Sequence, residues 1–312
     1  MVESGTGQLV MLIIDDDERY VDALFRDGQR CGILLRHAAS LEEGKRIFES
    51  SEGGRISGII LDVECYRRSD QEVPDSSFII AATKYFNENA ADLPLVAITG
   101  VQPLYDRYSR DFDGIWQVYR KGRDEAEMLA RLKGRADELS WVKVVNRYPE
   151  IFAVVDKRLG SDARSELLDC LANMEATALP RIRGNLANLR SLQEKIYLAL
   201  HRHDPAMVPA QFIQARREGG DKNCVDVARI LEHLKGGYDP HVQRNTGKVY
   251  LHYRSILYRF SEMVYKVASD GIHAIDEGGA FRPTAYTVQT ATFALLDLIL
   301  WFGAVTERPM GG

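Results

Sequence analysis

Leu9-Val10-Met11-Leu12-Ile13-Ile14-Asp15-Asp16-Asp17 is the stretch that decides how the first half of this 312-residue chain is read. Six consecutive apolar residues are too few for a helix of ordinary length. They describe a strand buried on both faces, which occurs where helices cover both sides of a parallel sheet. Working outward, the same kind of text recurs. Helix-like Glu18–Arg30 leads to a short run at Gly32–His37, and helical Leu41–Glu49 leads to strand-like Ile56–Val63. Helical Phe78–Asn87 precedes a strand at Leu95–Ile98, and a last strand at Ile115–Tyr119 precedes helical Glu125–Leu139. Strand and helix alternating five times predict an α/β, doubly wound domain with a five-stranded parallel sheet over residues 1–140.

In an open parallel sheet, ligands sit outside the carboxyl ends of the strands. The residues directly after the strand-like runs are Asp15, Asp16 and Asp17; then Asp62; then Thr99 and Gly100; then Lys121. Alternation places all of these on one edge, where carboxylates, a hydroxyl and an ammonium should converge. Taken singly, each passes as a turn acid, a helix cap or a solvated lysine. Four such groups on four strand ends make a site. Crowded carboxylates repel and need a divalent cation to stay ionised together. Oxygen ligands in small number, completed by water, suit Mg²⁺. A carboxylate beside such a cation can attack phosphorus and become an acyl phosphate, a reaction that rests on positioning and charge neutralisation.

The ordered set Leu12-Ile13-Ile14-Asp15-Asp16-Asp17, Gly58-Ile59-Ile60-Leu61-Asp62, Ala97-Ile98-Thr99-Gly100 and Lys121 resembles the receiver domain of bacterial two-component response regulators, over roughly residues 8–140. The resemblance implies a flavodoxin-like fold and phosphorylation of Asp62 by a sensor histidine kinase. It implies that Asp15 and Asp16 organise Mg²⁺ together with Asp62, with the backbone carbonyl of Glu64 as a further ligand. Thr99 would bond a phosphoryl oxygen and Lys121 would pair with the phosphate. Gly100 fits the small residue usual after that threonine. The chain departs from the family in three places. Gly122 stands where proline is usual, and Val118 stands where the switch aromatic is usual, with Tyr119 one place off. The segment between Asp62 and Thr99 is also longer, with extra polar text at Arg67–Ser76, which suggests a lid or a partner contact. The first two departures lead us to expect a signal that leaves the site by a different route.

Beyond residue 140 the strand-like runs vanish. Pro180 opens a helical pattern to about His201, with Ile182, Leu186, Leu189, Ile196 and Leu200 on one stripe. A second pattern covers about Val242–Ala268, with Tyr253, Ile256, Leu257, Phe260, Met263, Val264 and Val267 on one face. Pro283 opens a third through Ala291, Leu295, Leu298 and Trp301, and Gly-Gly pairs at 219–220, 236–237 and 278–279 mark breaks. Residues 141–312 therefore read as an all-α helical bundle domain, entered directly from the last receiver helix through Trp141–Asn146. Residues 1–140 carry 18 Lys and Arg against 26 Asp and Glu, net −8, and residues 141–312 carry 22 against 19, net +3. The acidic half suits a cation site. The other half is too weakly basic to argue for nucleic acid on charge alone. The most apolar run, Phe293–Val305, is short for a membrane span and contains Asp297, so a buried helix is expected. Four scattered cysteines and an N-terminus without a basic leader point to a reducing cytoplasm.

For the output, a helical module binding a protein partner is the leading expectation, with pairing of long amphipathic helices in a homodimer as one form of it. Arg244-Asn245 followed by His252, with Gly271-Ile272-His273 and the Pro283-Thr284 helix start, resembles HEPN-type helical nucleases, although the arginine-to-histidine gap is longer. That resemblance implies the alternative of a receiver-gated ribonuclease or nucleotide-binding effector. A transcription regulator would need a helix–turn–helix, for which Pro209–Gly236 is the candidate, its basic residues diluted by Glu218, Asp221, Asp226 and Glu232. His201-Arg202-His203-Asp204 could be imagined as metal ligands, but favourable charge at a helix C-terminus is the better explanation.

Overall fold

The computed structural model of the chain describes residues 8–215, 223–239, 244–245, 247–273 and 282–307. The chain divides into two compact units, Met1–Arg147 and Tyr148–Gly312. The first holds five parallel strands, β1 (Leu9–Ile14), β2 (Ile33–Ala38), β3 (Ile56–Asp62), β4 (Leu95–Thr99) and β5 (Gln117–Arg120), in the order β2-β1-β3-β4-β5. This is the doubly wound flavodoxin-like arrangement. The helices α1 (Glu18–Arg30) and α5 (Glu125–Asp137) bury Val21, Leu24, Met128, Leu129 and Leu132 against one face of the sheet. On the other face lie α2 (Leu41–Glu49), α3 (Ser77–Asn89) and α4 (Gln102–Asp111), through Leu41, Phe78, Ile79, Phe86 and Tyr108. The central strands β1 and β3 are buried at every residue, which explains their unbroken apolar text.

Two details differ from the sequence reading. The helix α4 was not legible, because its text is mostly polar and Tyr108 is its buried residue. The last helix of the first unit does not run on: α5 stops at Asp137 and a separate helix, α6 (Ser140–Arg147), returns Val142 to the core shared by α1 and α5.

The second unit is mostly helical: α7 (Pro149–Arg158), α8 (Ser161–Asn173), α9 (Leu179–His203), α10 (Val227–Leu234), α11 (Ile256–His273) and α12 (Ala285–Glu307). The expected stripe of α9 is buried at Ile182, Leu186, Leu189, Ile196 and Leu200, and α9, α11 and α12 pack on one another. At Gly303 a Cβ would come within 2.6 Å of Val154, so α12 needs a bare backbone to lie this close to α7.

The unit is not free of strands. Antiparallel pairs join β6 (Ile213–Ala215) to β7 (Asn223–Val225) and β8 (Tyr238–Asp239) to β9 (Arg244–Asn245), pieces too short to leave a period in the sequence. The second long helix also starts later than its apolar spacing suggested. The backbone N–H groups of Tyr250 and Leu251 both donate to the Leu234 carbonyl, and the helix begins only after Ser255, whose hydroxyl accepts from the Tyr258 N–H. The stretch Pro209–Gly236, which a helix–turn–helix would need to fill with two helices, holds a single eight-residue helix, α10, among the described residues. Helix α12 spans 23 residues, longer than expected, and is long and apolar enough to cross a membrane. Of its most apolar window, 56% is buried inside the structure, as in a core helix.

Candidate functional site

Strand register builds the site. Ile14 pairs with Leu61, so Asp15 emerges beside Asp62 on adjacent strands. Asp62 pairs with Ile98, which puts Thr99 one residue further out, and Thr99 pairs with Arg120, so Lys121 comes next at the same level. Neighbouring strands lie about 4.8 Å apart. Carboxylate oxygens of Asp15, Asp16 and Asp62 accordingly lie within 4.8 Å of one another. Asp15 and Asp62 are buried, and Asp16 is half-buried.

Lys121 bridges the two buried acids. Its Nζ donates to Asp15 Oδ1 at 2.9 Å and to Asp62 Oδ2 at 2.6 Å. Burial works against the ammonium, but the Asp62 and Asp15 charges outweigh it and hold its pKa above the ordinary lysine value. Burial, together with the neighbouring Asp15 charge, pushes the Asp62 carboxyl up to about 7 despite the lysine. Burial raises Asp15 as well, again against the pull of Lys121. One ammonium is therefore not enough for this set of carboxylates. Asp15 Oδ2 lies 2.7 Å from Nζ but off the geometry of a hydrogen bond, and this buried oxygen makes none. An acceptor so placed, among oxygen-only donors, fits a metal ion, which would supply the positive charge the cluster lacks.

The remaining expected residues fall nearby with distinct duties. Thr99 is buried, and its hydroxyl accepts from the Val101 N–H at 3.1 Å while its carbonyl accepts from the Lys121 N–H. Glu64 sits in the bend that leaves β3, and its carboxylate is outside the cluster. Asp17 is not part of the cluster either: its carboxylate caps α1, accepting from the N–H groups of Arg19 and Tyr20.

Each departure from the receiver pattern has a local cause. Gly122 adopts φ +77° and donates its N–H to Glu125 Oε1, and proline could do neither. Val118 and Tyr119 lie on opposite faces of the sheet. Val118 packs with the α2–α4 layer and Tyr119 with the α1 and α5 layer, so Tyr119 does not substitute for an aromatic at position 118. The long segment after Asp62 is tied down beside α2. Leu41 and Glu42 donate their N–H groups to the carbonyls of Tyr66 and Arg67, and the Ser69 N–H and hydroxyl donate to Glu42 Oε2.

Two neighbours of the site did not stand out in the sequence. The Tyr20 ring lies 4.8 Å from Lys121 Nζ, a cation–π support for the ammonium. His37 Nε2 lies 2.7 Å from the Asp15 carbonyl oxygen, which holds the turn that carries the acids. Tyr20 stands one helical turn after Asp16, and His37 stands at the end of the strand beside β1. Either position could have been flagged from the same strand-end logic.

No protein-family model matches the chain, and a search of curated proteins finds no match. The fold and the acidic edge are thus compatible with a receiver domain on their own physical evidence.

The second unit gathers no comparable set among its described residues. His201 is joined to the Val208 carbonyl oxygen at 2.7 Å and His233 to that of Ala206 at 2.8 Å, so both fasten turns. His252 Nδ1 accepts from the Arg254 N–H, and its ring stacks on Tyr253. The side chains of Arg244 and His273, on which the nuclease reading depends, and Arg216, Arg217 and Lys222, basic residues of the helix–turn–helix candidate, lie outside the described residues.

Proposed function

We propose that the first unit is the receiver of a two-component response regulator, phosphorylated on Asp62 by a sensor histidine kinase. The observation that carries this reading is the Asp62 carboxylate, at the end of the central strand, held 2.6 Å from Lys121 Nζ and within 4.8 Å of oxygens from Asp15 and Asp16. In this reading an Asp62 oxygen attacks the phosphorus of a phosphohistidine. The new O–P bond forms as the N–P bond breaks, and the imidazole leaves with the electron pair and takes a proton from solvent. Lys121 is already in place to neutralise a phosphoryl oxygen, and Thr99 would turn its hydroxyl from the Val101 N–H toward another. Asp15, Asp16 and Asp62, with the Glu64 carbonyl, would hold Mg²⁺, which supplies charge neutralisation for the incoming phosphoryl group. Because Gly122 and Val118 replace the usual pair, the altered charge would be transmitted through other contacts, such as the Arg120 guanidinium stacked 4.8 Å over Tyr105 and paired with Asp124. The second unit acts as a helical interaction module.

The test is intact-protein mass spectrometry after incubation with acetyl phosphate and Mg²⁺. Wild type should gain one phosphate, and the Asp62→Asn variant none. Equal labelling of the two, or no labelling of wild type, rejects the reading.

A further inference from the structure

Asp15 is asked to serve two cations. Its Oδ1 accepts from the Asp17 N–H at 3.0 Å and from Lys121 Nζ at 2.9 Å, while Oδ2 lies 2.7 Å from the same ammonium without bonding to it. If Oδ2 is to ligate a divalent cation, Lys121 must give way there, because two cations on one carboxylate oxygen repel. Lysine has a flexible four-carbon stem and a strongly hydrated head, so its easiest retreat is into water. Tyr20 opposes that retreat. Its ring lies 4.8 Å from Nζ, and the Lys121 side chain is only 13% exposed. The ring is placed from both ends independently of the lysine. Asp17 accepts the Tyr20 N–H at 3.1 Å, so the turn that carries Asp15 and Asp16 also sets the ring. At the far end the hydroxyl is buried near the Glu125 carboxylate; burial first, and then that carboxylate, raises the phenol's pKa. Glu125 in turn accepts the N–H of Gly122, the residue after Lys121. Ring, loop and acidic turn thus form one frame around Nζ.

We infer that Tyr20 is a positioning residue of this site: its ring retains the Lys121 ammonium beside Asp62 when Asp15 turns from the lysine to a divalent cation. The inference rests on the cation-site part of the receiver reading. Without the ring, the ammonium would keep only Asp62, itself shared with the metal, and would swing out to solvent. No cation of the chain would then stand ready for a phosphoryl oxygen. A ring face suits the task because its quadrupole attracts an ammonium but offers a metal no oxygen ligand. A carboxylate at position 20 would also hold the lysine, but it would compete for the metal.

Proton–nitrogen NMR of the lysine ammonium groups in the full chain, with Lys121 assigned by Lys121→Met, tests this without phosphate. In saturating Mg²⁺, wild type and Tyr20→Phe should keep a slowly exchanging Lys121 signal shifted upfield by the ring. Tyr20→Leu should lose that signal to exchange with water once Mg²⁺ is added. Leucine keeps apolar bulk, so a ring that merely filled space would leave the Mg²⁺ response unchanged. Because the leucine variant could disturb the fold, nuclear Overhauser contacts between the Lys121 ammonium and the Tyr20 ring in Mg²⁺-loaded wild type supply a check that needs no substitution. Labelling by acetyl phosphate should slow roughly tenfold in Tyr20→Leu, the rate equivalent of a desolvated cation–π contact, and stay near wild type in Tyr20→Phe. A wild type that binds no Mg²⁺ by calorimetry overturns the inference. So does loss of its Lys121 signal or ring contacts on Mg²⁺ addition, a retained signal in folded Tyr20→Leu, or labelling of that variant at the wild-type rate. If the signals behave as expected but wild type takes no phosphate, the inference holds and the phosphoryl-accepting reading falls.

Discussion

At the edge of the parallel sheet, Asp15 and Asp62 bury ionisable carboxyls around one ammonium and leave Asp15 Oδ2 without a hydrogen bond. In the core of the helical unit the buried polar groups around Ser261 are neutral. The Gln193 amide donates to the carbonyl and hydroxyl of Ser261, at 2.8 Å and 2.9 Å, and the Tyr197 hydroxyl shares a short hydrogen bond with the same serine. That network leaves only the Gln193 carbonyl oxygen without a partner among its side-chain atoms, a loss far smaller than that of a crowded carboxylate. That network is close to self-sufficient, whereas the sheet edge carries more carboxylates than its one ammonium balances. That difference marks the sheet edge as the candidate binding site and the Gln193 cluster as architecture.

The contrast breaks most sharply at Lys121. Replacing it with methionine leaves two buried carboxylates facing each other, and removing one partner of a buried ion pair costs about 3–5 kcal/mol. Amide exchange of β1 and β3 at pH 8 in EDTA should accelerate by that amount, while α9 in the second unit should be unchanged. The same variant should bind Mg²⁺ more tightly than wild type, because the competing ammonium is gone. Unchanged exchange in β1 and β3 would mean the site is not under charge strain.

A pH titration gives the next largest effect. The Asp62 carboxyl is raised from 3.8 to about 7 in the folded protein. Between those values the folded state binds more protons than the unfolded one, so stability is fully present below about 4 and is lost as pH rises through about 7. Each pH unit in the window is worth up to about 1.4 kcal/mol. In EDTA the first unit should therefore lose about 2–3 kcal/mol between pH 5 and 7.5, read by exchange of the β3 amides. Mg²⁺ should restore it at pH 7.5 and do little at pH 5, and Asp62→Asn should flatten the profile.

The same contrast explains how much was legible in the sequence. Parallel strands buried on both faces announce themselves as unbroken apolar runs. The residue after each run lands on one edge of the sheet, so Asp15, Asp62, Thr99 and Lys121 could be gathered without coordinates. Helix α4 escaped because few of its side chains meet the core. The role of Asp17 escaped because a cap and a ligand look alike in text. In the second unit, periodicity found α9 and α12 but placed the start of α11 too early. A backbone whose N–H groups are taken by Leu234 cannot continue a helix, and that constraint is long-range. The histidines there attracted attention by chemistry, yet each of the two that fasten turns is occupied by a carbonyl that only the folded chain brings near.

Smaller effects sharpen the helical side of the comparison. Ser261→Ala removes the hydroxyl that Gln193 and Tyr197 share, stranding the Tyr197 phenol in a fully buried place at a cost of about 2 kcal/mol. Exchange of α9 amides should report it, with β1 and β3 unaffected. His201→Ala removes one hydrogen bond, to the Val208 carbonyl, and should cost about 1 kcal/mol. It also separates a structural histidine from a ligand. If His201 fastens the turn after α9, the variant exchanges faster there and binds Zn²⁺ no differently from wild type by calorimetry. If it belonged to a metal set with His203 and Asp204, Zn²⁺ would slow exchange at the end of α9 in wild type and not in the variant. Because the His201 ring already engages Val208 on the side that faces the turn, the first outcome is the one expected.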